Sequence, residues 1–392
     1  MIAYRAARIP VDGATRRGWW VAVEDGRIAD VGPEPPAAAT LVDLGDLDLL
    51  PGLVDLHSDC LEQRARPRPT SVLPLEAALH DLDAELAGHG ITTHLLCVSL
   101  EDDAVKHRSI ERARTVAAAV AAQRSRLRVD HRLHLRVDVT GSTVEAAPEI
   151  AASGALGLVS YMDHTPGQGQ FTNLSAWRGY YAQLAQHADG DVDVDVDVEL
   201  RLRLLEKQRG QGRAAETRDR VARLARGAGV ALASHDDDSA RTVRRAVDLG
   251  ATIAEFPVTS DAAHAAREAG LGILMGAPNA RRGISHYGNL SARGALAEGC
   301  LDALASDYHP PSMLVAAYLI AAETGCDWAA AAALVTEGPA RLAGLADRGR
   351  LTGGCRADLV AVECVGGHPV VRQTWVAGRP ELGAVAAAVP AR

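Results

Sequence analysis

A chain of 392 residues with 47% hydrophobic side chains can bury a large core, as one big domain or two smaller ones. Its formal net charge is −9 and it holds no long basic run, which excludes nucleic acid as the main partner. No stretch approaches about eighteen uninterrupted apolar residues, and the opening "MIAYRAARIPVDG" lacks the apolar core of a signal peptide. The cysteines (Cys60, Cys97, Cys300, Cys326, Cys355, Cys364) are scattered without a CxxC pair, so reduced thiols and a cytoplasmic location, with no membrane partner, are expected.

The first elements read as a hairpin. "WWVAVEDGRIADVG" (19–32) is a short strand, an Asp25-Gly26 turn and a second strand. "RADLVAVECVGGHPVVRQTWVAGRPE" (356–381) repeats that style at the other end, with turns at Gly366-Gly367 and Gly378. Neither segment is long enough to fold alone. The expectation is one small β-sandwich built from residues 1–50 and 350–392, flanking a catalytic domain of residues 51–349.

Between them, short apolar strands alternate with helical stretches. The strands are 52–57, 91–98, 132–139, 156–164, 230–236, 251–257, 272–278 and 301–307; helices include 74–90 and 217–229. Such alternation predicts parallel strands, and eight of them predict an α/β fold of the closed (β/α)8, TIM-like kind. The competing open doubly wound sheet lacks a GxGxxG after its first strand. One stretch resists the scheme: "DGDVDVDVDVELRLRLLEKQRGQG" (189–212) opens with aspartate-valine repetition and turns basic. It is expected to be a mobile excursion after the fourth strand, placed to act as a lid.

The first strand ends in "DLHSDC". His57 and Asp59 stand two apart, a spacing that aims both side chains at one point if the strand continues. A satisfied histidine beside a turn aspartate explains that pair equally well. The other strand ends decide. Asp138 lies on the third strand, Asp163-His164 ends the fourth, "SHDDDS" brings His235, Asp236, Asp237 and Asp238, and Asp307 ends the eighth. Catalytic groups of such barrels sit at these C-terminal ends, so the set reads as a metal site. Imidazole and carboxylate without thiolate suit one or two divalent ions, Zn²⁺ first and Mn²⁺ or Fe²⁺ as alternatives, that activate water. Asp307 could then take that water's proton and pass it to the leaving group. Cys60 is read as a packing residue.

"LLPGLVDLHSD", the sandwich shared by both termini and the strand-end His and Asp set resemble the amidohydrolase superfamily. "HSDCLEQRARPRP" (57–69), "HRLHLRVDV" (131–139), "LVSYMDHTPGQGQF" (158–171), "LASHDDDS" (232–239), the 254–292 stretch with "MGAPNARRGISHYGN" and "CLDALASDYHPPS" (300–312) resemble its phosphonate-catabolism branch, the α-D-ribose 1-methylphosphonate 5-triphosphate diphosphatases. The resemblance implies a metal-dependent hydrolase that releases diphosphate from a phosphorylated small molecule, and a homo-oligomer is compatible with it. It implies metal or catalytic roles for His57, Asp59, His164, His235 and Asp307, with Asp138 where the family has glutamate. Arg68, Arg282, Ser285, His286 and Asn289 are implied as phosphate or sugar contacts.

Two departures stand out. Gln63 and Gly169 occupy positions where the family carries cations, and Arg64, Arg66 and Arg281 are the candidates to replace them. Losing cations favours an alternative reading, a C–N hydrolase (cyclic amide, carbamate or deamination) acting on a less charged molecule. A non-catalytic descendant is the third reading, and the complete His and Asp set argues against it.

Overall fold

The computed structural model describes residues 1–68, 70–103, 106–141, 143–171, 174–175, 177–179, 196–285 and 288–383. The chain opens with seven short strands: β1 (Ile2–Arg5), β2 (Arg8–Val11), β3 (Ala14–Arg17), β4 (Trp20–Glu24), β5 (Arg27–Gly32), β6 (Thr40–Asp43) and β7 (Asp48–Pro51). Eight further strands follow: β8 (Leu53–Ser58), β9 (Ile91–Leu100), β10 (Asp130–Asp138), β11 (Leu156–Met162), β12 (Ala231–His235), β13 (Ile253–Glu255), β14 (Gly272–Gly276) and β15 (Ala303–Ala305). The chain then finishes with β16 (Leu359–Val365), β17 (His368–Val376) and β18 (Arg379–Leu382).

Strands β8 to β15 pair in sequence order, and every pairing is parallel. The sheet closes on itself where Asp307 N donates to His57 O (2.8 Å) and Asp59 N donates to Asp307 O (2.9 Å). This is the (β/α)8 barrel that the strand-helix alternation predicts. Its interior is filled by Val54, Leu56, Leu95, Leu158, Ile253 and Leu274, and Ala340 and Leu342 plug one end. A larger layer outside packs the helices on the strands, for example Leu79, Leu82 and Leu86 of helix Leu75–Gly88 against Ile91 and Leu96. Burial on both faces explains why these strands read as near-continuous apolar runs.

The other strands make two sheets, ordered β5-β4-β1-β6 and β18-β17-β16-β7-β2-β3. Antiparallel pairing of β7 with β16, Leu359 opposite Pro51, joins the two chain ends in one sheet. The two sheets share a core of Tyr4, Ile9, Val21, Ile28, Leu49, Leu359 and Trp375, with the Tyr4 and Trp375 rings 5.0 Å apart. Gly52 is the hinge from this sandwich into the barrel. A Cβ there would lie 2.1 Å from Thr92 Oγ1, so no other residue fits.

Of the 189–212 stretch, residues 189–195 lie outside the described ones, and Val196–Gly210 is a helix. Two of its basic residues turn inward: Arg203 forks onto Asp103 (2.7 and 2.8 Å) and Lys207 pairs with Asp138. Charge pairing thus holds this helix to carboxylates that follow β9 and end β10.

At the opposite end of β10, Asp130 collects Arg124, Arg348 and Arg356 at 2.7, 2.8 and 3.5 Å, with Arg132 at 3.3 Å. Arg348 and Arg356 come from the run into the C-terminal strands, so this cluster fastens the sandwich to the barrel floor.

Candidate active site

The described strand-end groups converge. His57, Asp59 and Asp307 bring one ligand atom each within 4.8 Å of one another; so do His164, His235 and Asp236. His57 and His235 stack with ring centroids 5.5 Å apart, which joins the two groups into one site. Alternation along the strand is not what aims Asp59. Strand β8 stops at Ser58, and Asp59 is the N-cap of helix Cys60–Ala65, so the strand-to-helix turn swings it beside His57. Cys60 is buried in the helix-facing core, in keeping with a packing role, and burial pushes its thiol up to about 12.

Backbone strain marks the same place. Asp236, Phe256 and Asp307 follow β12, β13 and β15, and all three have positive φ (58°, 54° and 56°). Such a conformation is costly for a residue with a side chain, and for phenylalanine most of all. Here it turns the chain sharply out of the barrel and presents Asp236 and Asp307 to the mouth.

Two residues at the centre escaped the sequence reading. Glu255 is fully buried and accepts from His57 Nδ1 (2.7 Å) through one oxygen and from His235 Nδ1 (2.6 Å) through the other. Burial alone would raise its carboxyl, but His57, His134 and His235 outweigh it and hold the group well below the ordinary range. Arg136 is 5% exposed; its guanidinium donates to both Asp59 oxygens (3.0 and 3.2 Å) and lies 3.3 Å from His235 Nε2. Burial raises Asp59, yet Arg136 and Arg108 overcome it and keep the carboxylate ionised far into acid. A charged residue inside an otherwise apolar strand was the available signal for both, as in "TIAEFP" and "LHLRVDV".

The remaining electrostatics are mixed by design of the fold. Burial lowers His164, and it raises Asp307 with His57 opposing. His235 is held up despite burial because Asp236 and Glu255 flank it. Asp55, also missed, is buried and accepts from Ser306 N (2.9 Å), tying β8 to β15; burial pushes it up to about 6.

Several expected residues stand outside these two groups, with partners of their own or in the cleft beside them. Asp138 is in none of the metal-sized groups among the described residues; it accepts from Thr140 N (2.9 Å) and Thr140 Oγ1 (2.6 Å) and pairs with Lys207. Asp163 faces Gln211 and Arg218, Asp237 turns back onto Ser234 Oγ, and Asp238 accepts from Gly169 N (3.1 Å). Arg68 is exposed on a turn with Ser71, and Arg282 is exposed at the end of helix Ala277–Arg282. Arg64 is taken by Glu85 (2.6 and 2.7 Å) on the neighbouring helix. Ser285 and Asn289 line a cleft of ≈ 90 Å³ beside Asp307, with Asn279, Phe256 and Tyr308. His286 lies outside the described residues. Gly169 has φ 55°, and a Cβ there would sit 3.4 Å from Asp236 O, so a glycine suits this backbone.

The donor set fits a divalent ion. His164 Nε2 and Asp236 Oδ2 are buried without a hydrogen-bond partner, 3.6 Å apart, and His235 Nε2 lies 3.4 Å from that same oxygen. Buried polar atoms without partners are costly, and an ion shared with His235 Nε2, which faces Arg136 at 3.3 Å, would satisfy both of them.

Comparison with known proteins places this geometry. Residues 75–380 match the model of the Amidohydrolase family. The chain is 37% identical over 336 residues to the α-D-ribose 1-methylphosphonate 5-triphosphate diphosphatase of Escherichia coli (strain K12), covering 84% of this chain and 87% of that protein. Among solved structures it resembles the N-acetyl-D-glucosamine-6-phosphate deacetylase of Mycobacterium smegmatis (TM-score 0.66, 15% identity, 97% and 100% of the two chains). It also resembles the N-isopropylammelide isopropylaminohydrolase of Burkholderia multivorans (TM-score 0.64, 18% identity, 98% and 99%). Those two likenesses show the fold.

Proposed function

The chain belongs to the amidohydrolase family, and on that premise we propose that it hydrolyses a ribosyl 5-triphosphate, releasing diphosphate and leaving one phosphate on the sugar. The observation that carries this reading is the 37% identity to a diphosphatase over 84% of the chain. In the proposed site His57, Asp59, His164, His235 and Asp307 hold one or two divalent ions, Zn²⁺ first, and Asp236 completes the second group. Asp138 is left to Lys207. A divalent ion bound there supplies a water of lowered pKa and positive charge against the phosphates.

Asp307 is the proposed general base. Its backbone is fixed by both hydrogen bonds to β8 and its turn, and burial raises its carboxyl, which makes it a better proton acceptor than an exposed aspartate. It takes the proton from the attacking water as oxygen bonds to phosphorus. It returns the proton to the oxygen of the departing diphosphate as the anhydride bond breaks. Ser285, Asn279 and Asn289 offer neutral donors and acceptors to the sugar. The sandwich of residues 1–50 and 350–392 and the barrel of 51–349 are proposed as the two domains. A cytoplasmic location is proposed on the free thiols, four of the six being buried. No helix among the described residues is long and apolar enough to cross a membrane.

One observation favours a second reading, hydrolysis of a C–N bond in a less charged molecule. Among the described residues lining the cleft beside Asp307 there is no cation; Phe256, Pro257, Val258 and Met275 stand with Gln170, Asn279, Ser285 and Asn289. The basic residues near the site, Lys106, Arg108, Arg136, Arg203 and Lys207, each have a carboxylate partner. A triphosphate bound against those side chains would compete with their carboxylates.

The discriminating experiment is kcat/KM of metal-loaded protein across ribosyl triphosphates and cyclic amides. Preference for the triphosphates by tenfold or more supports the first reading, and turnover of cyclic amides alone replaces it with the second.

A further inference from the structure

We infer that Glu255 is the positioning residue of the site: one carboxylate sets the tautomer and the direction of two histidines at once. The inference rests on the proposed metal-hydrolase reading and extends it to a residue that reading does not use. The geometry is specific. Oε1 lies 2.7 Å from His57 Nδ1 and Oε2 lies 2.6 Å from His235 Nδ1. A carboxylate only accepts, so both Nδ1 atoms must carry their protons. In the neutral rings both Nε2 atoms are then left with lone pairs, on two rings stacked 15° from parallel. Glu255 and the two rings also lie close enough to share an ion, but with each oxygen at hydrogen-bond distance from a ring nitrogen the carboxylate is assigned here as the partner of both histidines.

The surroundings reinforce the aim. Phe256, the next residue, packs its ring on both imidazoles, with centroids 4.9 Å from His57 and 5.3 Å from His235. Its positive φ is the backbone cost of placing glutamate and phenylalanine, adjacent in sequence, against the same two rings. His134 sits near the same carboxylate, at 3.9 Å, but is used up otherwise: Nδ1 donates to Leu56 O (3.0 Å) and Nε2 accepts from Ser160 Oγ (2.8 Å). The carboxylate thus serves the two histidines at the mouth and not the third beneath them. Partners of this kind raise ligand basicity and fix ring orientation, and their loss typically costs about 10–100-fold in metal affinity.

The test is E255Q. Glutamine keeps the shape but offers one acceptor and one donor, so only one histidine keeps its Nδ1 proton. The other must accept at Nδ1, move its proton to Nε2 and lose the lone pair it would give a metal. Two readouts follow. In metal-free protein, long-range ¹⁵N–¹H spectra of the rings should show His57 and His235 both protonated at Nδ1 in wild type, and one of them at Nε2 in E255Q. Titration with Co²⁺ against a chromophoric chelator should show Kd raised about 10–100-fold in E255Q, with altered visible bands. Unchanged tautomers together with a wild-type Co²⁺ Kd would overturn the inference. Wild-type protein that binds no Co²⁺ would sink the metal reading, while the tautomer measurement would still judge Glu255. If E255Q fails to fold, Glu255→Asp, too short to span both rings, takes its place with the same two readouts.

Discussion

Arg136 offers a perturbation whose sign separates two ideas of the site. Its guanidinium donates to Asp59 at 3.0 and 3.2 Å and lies 3.3 Å from His235 Nε2, so it covers two of the atoms assigned to a metal ion. An ion taking those atoms must displace it. Hydrogen bonds to charged groups contribute about 1.5–3 kcal/mol each, so surrendering one at each residue costs at least about 3 kcal/mol. At about 1.4 kcal/mol per decade, that is roughly 100-fold in Kd, before any repulsion between the guanidinium and the ion. Arg136→Met keeps most of the volume and removes the competitor. Co²⁺ affinity, measured by chelator competition, should rise at least tenfold. The metal-free variant should melt earlier, because among the described residues Asp59 then keeps Arg108, at 3.7 Å, as its ion-pair partner, and added metal should restore more of the melting temperature than in wild type. Equal or weaker Co²⁺ binding in the variant would refute the competition and make Arg136 a support that holds Asp59 ready.

Three further outcomes are expected. Asp307→Asn, which keeps the size and an oxygen for an ion, should retain most of its metal, by elemental analysis, while kcat falls about 10²–10⁴-fold; a variant with most of its rate would move the base to Asp163 or Asp236. His57→Ala and His235→Ala should lose metal and turnover together, and a His57→Ala protein with full metal content and normal rate would break the assignment. At the barrel floor, Asp130→Asn should destabilise by about 2–3 kcal/mol in urea titration, less than a stranded buried charge, because Arg348 keeps Asp347 and Thr93 at 2.9 Å each. Burial raises the Asp130 carboxyl, but Arg132, Arg124 and Arg348 more than reverse this, so its folded value lies below its unfolded one. Its contribution is therefore complete above an unfolded value of about 4 and fades as pH falls towards the folded value. The acid limb of stability should be flatter in Asp130→Asn, and an unchanged limb would contradict the cluster's role.

Much of the barrel was legible because strands buried on both faces are apolar runs, and all eight expected strands form within a few residues of their expected limits. The convergence of His57, Asp59, His164, His235 and Asp307 followed from where strand ends lie in such a barrel. What escaped was partnership across the sheet. That Glu255 serves two histidines depends on β8, β12 and β13 meeting in space, and nothing near "AEFP" names its partners. Asp138 read as a site carboxylate, and nothing in the sequence signals that Lys207, 69 residues later, pairs with it. Asp59 reached its place through a helix N-cap and not through strand alternation, so a correct convergence rested on the wrong local geometry. Gly169 read as a missing cation; its positive φ shows a backbone that a side chain would strain, which makes Gln63→Lys the cleaner way to restore charge.

The most direct test of the central claim follows phosphorus by ³¹P NMR while Zn²⁺- or Mn²⁺-loaded protein acts on a ribosyl 5-triphosphate. Diphosphate and a ribosyl 5-monophosphate should appear in equal amounts, with no release by His57→Ala. An unchanged triphosphate spectrum at full metal occupancy would contradict that claim.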